Sequence, residues 1–489
     1  MGDSKEDRPL EVDVVIIGAG LSGINTAYHL QTTGPRGLSY AILESRSNLG
    51  GTWDLFRYPG IRSDSDIHTF GFTWSPWPRE APLASGNDIL DYLQRSAEKH
   101  GIDKHIIYNH RVESADWDTQ NSRWSLRFTT NGGEFKKVMH CRFMVMGTGY
   151  YNYEEPLEAK IPGLESFGGT VVHPQFWPAD LSYTDKEMVI IGSGATAVTL
   201  LPSVADRVRH VTMLQRSPTY ILPLPMQDRM SRVLRTFFPA SIAGRINRLR
   251  FAVASFFVVC YCRLFPNAAR RKFTKIITEQ LPPNVKTDPH FKPRYNPWEQ
   301  RLCATPDGDF YAAIRSGKAS VKTGVIRQIT QDEIQLESGE ILRPDIIVTA
   351  TGLKLRFAGG IQLSIDGDPV DISQKFVWRG VMVQDLPNLG FIFGYIDASW
   401  TLGADVSATT IVRILHQMKQ KGALSAVPRL ENAEAMQQRP LFNISSTYVQ
   451  NASQVFPKGG VGQWRQNKNY LLDILRASYG NLSSGLEMR

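Results

Sequence analysis

Apolar positions in this chain gather into short runs that end on glycine. Val12 to Ile17 leads into Gly18, Met188 to Ile191 into Gly192, and Ile346 to Val348 into the Ala-Thr-Gly at Ala350 to Gly352. A compact apolar run closed by a turn is the pattern of a strand buried on both faces of a parallel sheet, and each run here leads into a candidate functional turn. A fourth, Phe143 to Met146, also ends on Thr-Gly, at Thr148 and Gly149. Between Thr219 and Trp298 the period becomes helical, with apolar residues interleaved with arginines, before the proline-rich LPPNVKTDPHFKPRYNPW closes the stretch. The pattern predicts an α/β fold of two Rossmann-like dinucleotide-binding domains with a helical insertion. The first domain spans 1–148 and is completed by 350–489, the second spans 149–222 and 299–349, and the insertion spans 223–298.

The turns after the first two runs carry the chemistry. GAGLSG, Gly18 to Gly23, follows a strand-like run and opens a helix, so Gly18 suits a tight turn, Gly20 a close approach to a pyrophosphate, and Gly23 helix–strand packing. Glu44 ends the next strand, about 20 residues further on, where a carboxylate accepts hydrogen bonds from a ribose. GSGATA, Gly192 to Ala197, repeats the turn through Gly192, Gly194, Ala195 and Thr196, with Ala197 as the third small residue. Its following strand ends on Arg216 and Ser217 rather than on an acid. A guanidinium there holds a 2′-phosphate that a carboxylate would repel, so this site is expected to prefer NADPH; the plainer reading is an ordinary surface arginine.

Composition narrows the class. The 489 residues carry a net charge of +8 and 42% hydrophobic residues, which suits a multidomain globular protein and excludes a disordered one. Cys141, Cys260, Cys262 and Cys303 are too scattered for a disulfide framework or a zinc site, so no metal is expected and the thiols read as reduced, in a cytoplasmic protein. No paired redox cysteines follow the first glycine turn, which disfavours a disulfide reductase. The longest apolar run, Phe251 to Cys262, is too short to span a bilayer. Its arginine flanks leave peripheral membrane contact open beside the plainer reading of one buried helix and a solvated basic face. Nucleic-acid binding is not expected, because no recognised module accompanies the charge.

Two longer motifs separate the readings that a pair of dinucleotide turns leaves open. FGGTVVHPQFWP fits F-x-G-x-x-x-H-x-x-x-W-P with Phe167, Gly169, His173, Trp177 and Pro178 in register. GGTWDLFRYPGIRSD, Gly50 to Asp64, supplies a second pattern through Gly51, Trp53, Tyr58, Pro59, Gly60 and Asp64. On these motifs the chain resembles the type I Baeyer–Villiger monooxygenases, class B flavoprotein monooxygenases, over nearly its whole length. Within them it looks most like the bacterial ethionamide-activating branch.

The resemblance implies an FAD-containing, NADPH- and O2-dependent enzyme that inserts one oxygen atom beside a ketone carbonyl to give an ester or lactone, with sulfoxidation as a side activity. The alternative is a flavin monooxygenase acting mainly on sulfides, thioamides or amines. By the same resemblance Arg301, in YNPWEQRLC, is the catalytic cation and Asp64 its partner. Gly51, Thr52, Trp53 and Asp64 join the cofactor site, and Trp400 contacts NADP. The fingerprint histidine, His173, reads as a loop-orienting or domain-linking residue and Trp177 as a packed linker residue. Gln300 departs from the lysine that many relatives carry before the arginine, so discrimination against NADH falls mainly to Arg216.

Overall fold

The computed structural model describes residues 10–130, 133, 135–300, 302–395, 398–441, 454–467 and 469–489. The apolar runs form the centres of two sheets. In the first, Leu10–Ile17 lies between Tyr40–Leu43 and Phe135–Met146, parallel to both. Val14, Val15 and Ile16 are wholly buried, as a strand covered on both faces requires. This sheet continues from Phe135–Met146 into the antiparallel strands Arg123–Thr130 and His110–Asp118. Leu389–Phe391, far along the chain, returns to pair in parallel with Phe135–Met146.

The second sheet runs Ala319–Thr323, His210–Gln215, Glu187–Ile191, Ile346–Thr349 and Thr170–Val172, all parallel. In both sheets the strand before the glycine turn has its successor on one side and a much later strand on the other. Such a reversal of strand order opens a crevice beyond the carboxyl ends of the strands, where ligands bind in sheets of this kind. The fold is therefore α/β with two dinucleotide-binding units.

The insertion is helical at Arg229–Phe237, Ala240–Leu264 and Pro266–Gln280. The central helix corrects the expectation of a single buried helix at Phe251 to Cys262. It is 25 residues long, and none of its phenylalanines is fully buried, Phe251 standing half-exposed against His68; the buried face is made by other residues. That face consists of Ala243, Gly244, Asn247, Arg248, Val259 and Cys262. A Cβ on Gly244 would stand 2.4 Å from the Cβ of Pro76, so the helix lies against the Pro76 loop at backbone range. Arg248 donates to the carbonyls of Thr69 and Gly71 and pairs with Asp405 at 2.8 Å. Polar anchoring on this side leaves Phe257, Leu264 and their neighbours outside. Among the described residues no single helix is long and apolar enough to cross a membrane.

Candidate active site

Both glycine turns open into one cleft of about 1540 Å³, larger than the roughly 300–1,000 Å³ usual for a single small ligand. Gly20 is the N-cap of helix Leu21–Thr33 and Gly194 that of helix Ala195–Val204. Neither helix has a side-chain cap or an acidic residue in its first turn, so the leading N–H groups at both ends remain for an anion. A Cβ on Gly20 would meet Gly51 at 3.6 Å, and one on Gly194 would meet nothing within 4 Å. The protein itself does not need that room; a close-lying phosphate does. Gly23 answers a different demand, because a Cβ there would stand 1.9 Å from the carbonyl oxygen of Gly18. The residues thus fit two dinucleotides.

Around the first turn, the Glu44 carboxylate is buried and accepts from the backbone N–H of Ala19 at 2.7 Å and of Arg46 at 2.9 Å. Burial pushes its carboxyl above the ordinary range, opposed by these donors and by the Arg46 charge. Arg46, not singled out from the sequence, pairs with Asp54 at 2.6 Å and donates to the Gly51 carbonyl at 3.2 Å. It fixes the loop carrying Gly51, Thr52 and Trp53 against the strand end that bears Glu44. Thr52 shares a hydrogen bond with Tyr153 at 2.9 Å, and Trp53 meets Phe70 edge to face at 5.6 Å. Trp400 donates to the Ser22 hydroxyl at 2.9 Å and stacks on Tyr150 at 5.0 Å. All of these groups line the cleft, Ala19 and Asp54 excepted.

The segment after Trp53 crosses to the second unit. Tyr58 packs on the core of the second sheet, and burial pushes its hydroxyl up to about 12, partly offset by a hydrogen bond with Thr196. Gly60, at φ +73°, presses against the Thr199–Ser203 turn so closely that a Cβ would overlap the Ser203 hydroxyl. Arg62 makes a two-pronged ion pair with Asp309. Together these contacts clamp the loop ending in Asp64 between the units, with Asp64 on the cleft wall.

At the second turn, Gly192, Gly194, Ala195 and Thr196 line the cleft together with Arg216 and Ser217. The Ser217 carbonyl accepts from the Ser193 hydroxyl at 2.9 Å, which ties the strand end to the turn. Arg216 is exposed at the edge of this pocket. Arg301 lies outside the described residues. Gln300 before it and Cys303 shortly after it both line the cleft.

Phe167, Gly169, His173, Trp177 and Pro178 are not part of the cleft lining. Phe167 packs with Val189, Ile191 and Leu214, and a Cβ on Gly169 would stand 2.5 Å from the Asp345 carbonyl oxygen. His173 accepts from the Gln175 N–H through Nδ1 at 3.2 Å, and burial lowers its pKa, so it favours the neutral ring. Gln175 in turn donates to the Asn152 carbonyl at 2.7 Å. Trp177 meets Tyr183 edge to face at 6.0 Å.

A family model described as pyridine nucleotide-disulphide oxidoreductase matches residues 15–222. The chain is 44% identical over 465 residues to the FAD-containing monooxygenase EthA of Mycobacterium tuberculosis (strain ATCC 25618 / H37Rv), covering 95% of this chain and 94% of that one. In fold it is similar to cyclohexanone monooxygenase from Rhodococcus sp. Phi1 bound to NADP+, with a TM-score of 0.74, 18% identity, and coverage of 99% of this chain and 100% of that one. OTEMO in complex with FAD and NADP gives a TM-score of 0.74 at 19% identity, with the same coverage. In this chain Cys141, Cys260, Cys262 and Cys303 form no disulfide, and none of them stands in the first glycine turn. Two dinucleotide turns sharing one cleft, with relatives of this kind, define a flavin-dependent monooxygenase. The chain belongs to the FAD-containing monooxygenases of the EthA type.

Proposed function

We propose that this enzyme uses NADPH and O2 to insert one oxygen atom beside a ketone carbonyl, giving an ester or lactone, and that it oxidises sulfides as a side activity. The observation that carries the reading is that the two turns and Asp64 share one cleft, which Gln300, immediately before Arg301 in the sequence, also lines. Gly18, Gly20, Glu44, Gly51 and Thr52 would hold FAD, while Gly192, Gly194, Thr196, Arg216 and Ser217 would hold NADPH, with Trp400 between the two sets. When bound, the flavin accepts hydride from NADPH and activates O2. Arg301 supplies a permanent cation where negative charge develops on the ketone oxygen, and Asp64 positions its guanidinium. The clamp through Tyr58, Gly60 and Arg62 keeps the Asp64 loop fixed as the cofactor half-sites fill. Paired assays with linear, cyclic and aryl ketones and with sulfides, scored by product, test the assignment. Esters from ketones support it, and S-oxides with no ester from any ketone point to the heteroatom enzyme instead.

Arg216 gives coenzyme choice a separate test. A hydrogen bond to a charged group contributes about 1.5–3 kcal/mol, and exposure to solvent keeps the value near the lower end. Arg216→Ala is expected to lower kcat/KM for NADPH by roughly tenfold while leaving NADH nearly unchanged. Equal losses with the two coenzymes would remove Arg216 from the 2′-phosphate site.

A further inference from the structure

We propose that the exposed face of helices Arg229–Phe237 and Ala240–Leu264 is a docking surface that seats the enzyme on an anionic lipid leaflet. Of the 22 large apolar side chains exposed among the described residues, 12 lie between Met230 and Phe265. Concentration of this kind marks a binding surface, since isolated exposed apolar residues are ordinary and a contiguous group is not. Ile242, Ile246, Leu249, Phe257, Tyr261 and Leu264 recur at helical spacing, so they form one stripe along the helix. The opposite side is the one bolted to the protein through Gly244 and Arg248. The stripe therefore faces away from the body of the enzyme near both ends of the helix, at Ile242 to Leu249 and at Phe257 to Leu264.

Charge selects the occupant. From Arg229 to Thr278 the sequence holds 11 arginines and lysines and no aspartate or glutamate. Several of these cations are engaged, as in Arg232 with Glu80 and Arg250 with Asp228. Arg245 and Arg263 are exposed and, about five helical turns apart, fall on the same edge of the stripe. Arg271 and Lys272 stand exposed on the following helix, which departs at 114°. A second copy of the chain docking through this face in a twofold arrangement would bring the basic stretch against itself. An anionic leaflet instead neutralises the arginines while its acyl boundary takes up Phe257 and Leu264, as an interfacial amphipathic helix requires. The helix would lie in the plane of the interface without crossing it.

The test is sedimentation of the full-length, FAD-loaded enzyme with vesicles of equal parts phosphatidylglycerol and phosphatidylcholine, beside vesicles of phosphatidylcholine alone. Binding is expected to the anionic vesicles, weakening as salt is raised. The double variants Phe257→Glu with Leu264→Glu, and Arg245→Glu with Arg263→Glu, are each expected to lower partitioning by on the order of tenfold or more. Tyr479→Glu, an exposed aromatic on a different helix, is expected to bind as the parent does. Flavin content of each variant reports that it has folded. Failure of the parent to bind anionic vesicles would overturn the proposal, as would parental binding by both double variants. A parental dimer that Phe257→Glu with Leu264→Glu splits, with no vesicle binding by either form, would assign the face to a second copy.

Discussion

Alanine in place of Arg301 is expected to abolish ester formation, with any surviving NADPH oxidation ending in hydrogen peroxide. The expectation rests on how a fixed charge acts in a closed cleft. Two unit charges about 4 Å apart interact by roughly 1 kcal/mol in water and by about 4 kcal/mol at an intermediate effective dielectric. The second figure corresponds to roughly a thousandfold in rate, so the cation matters to the extent that the site excludes water. Arginine suits the position because its guanidinium stays charged when partly desolvated and presents a planar fork of donors. Lysine is therefore expected to rescue poorly. Asp64→Ala is expected to act in the same direction but less severely, because in the proposed arrangement Asp64 only positions Arg301 and its loss leaves the charge in place. The measurement is ester formed per NADPH consumed, and a parental ratio in Arg301→Ala would exclude the arginine from the oxygen-transfer step.

Valine in place of Gly20 is expected to yield a folded protein that fails to retain FAD. Gly20 has φ −80°, a conformation open to any residue, and a Cβ there would meet only backbone atoms of Gly51, at 3.6 and 3.9 Å. The Cβ itself is accommodated, whereas the two methyl groups of valine would fill the cradle that both glycines leave for a pyrophosphate. Gly23→Ala is the instructive contrast. Its Cβ would collide with the Gly18 carbonyl, so that variant is expected to lose stability even before cofactor is considered. Flavin absorbance per mole of purified protein, with a thermal melt beside that of the FAD-stripped parent, separates the two effects. Stoichiometric flavin in Gly20→Val would place the FAD pyrophosphate elsewhere.

The parallel strands were legible because burial on both faces leaves a dense apolar run, and the glycine after each run has a local steric cause. Val14 to Ile17 and Met188 to Ile191 illustrate this directly. The antiparallel strands His110–Asp118 and Arg123–Thr130 were not singled out, since exposed and buried positions alternate along them and polar residues dilute the signal. Long-range partners were equally silent. Arg46 with Asp54 and Arg62 with Asp309 are ordinary charged residues in sequence, and only folding brings the second pair together across the units. The central insertion helix hides its packed side in the sequence for a related reason. Its apolar run resembles a core segment, yet Gly244, Asn247 and Arg248 determine which side packs.

Oxygen transfer itself is most directly tested by supplying 18O2 to the FAD-loaded enzyme with NADPH and a ketone, then analysing the product by mass spectrometry. The account predicts an ester or lactone carrying a single 18O atom, formed in step with NADPH consumption. NADPH consumption that delivers all of the label to hydrogen peroxide, with no labelled ester from any ketone in the panel, would contradict it.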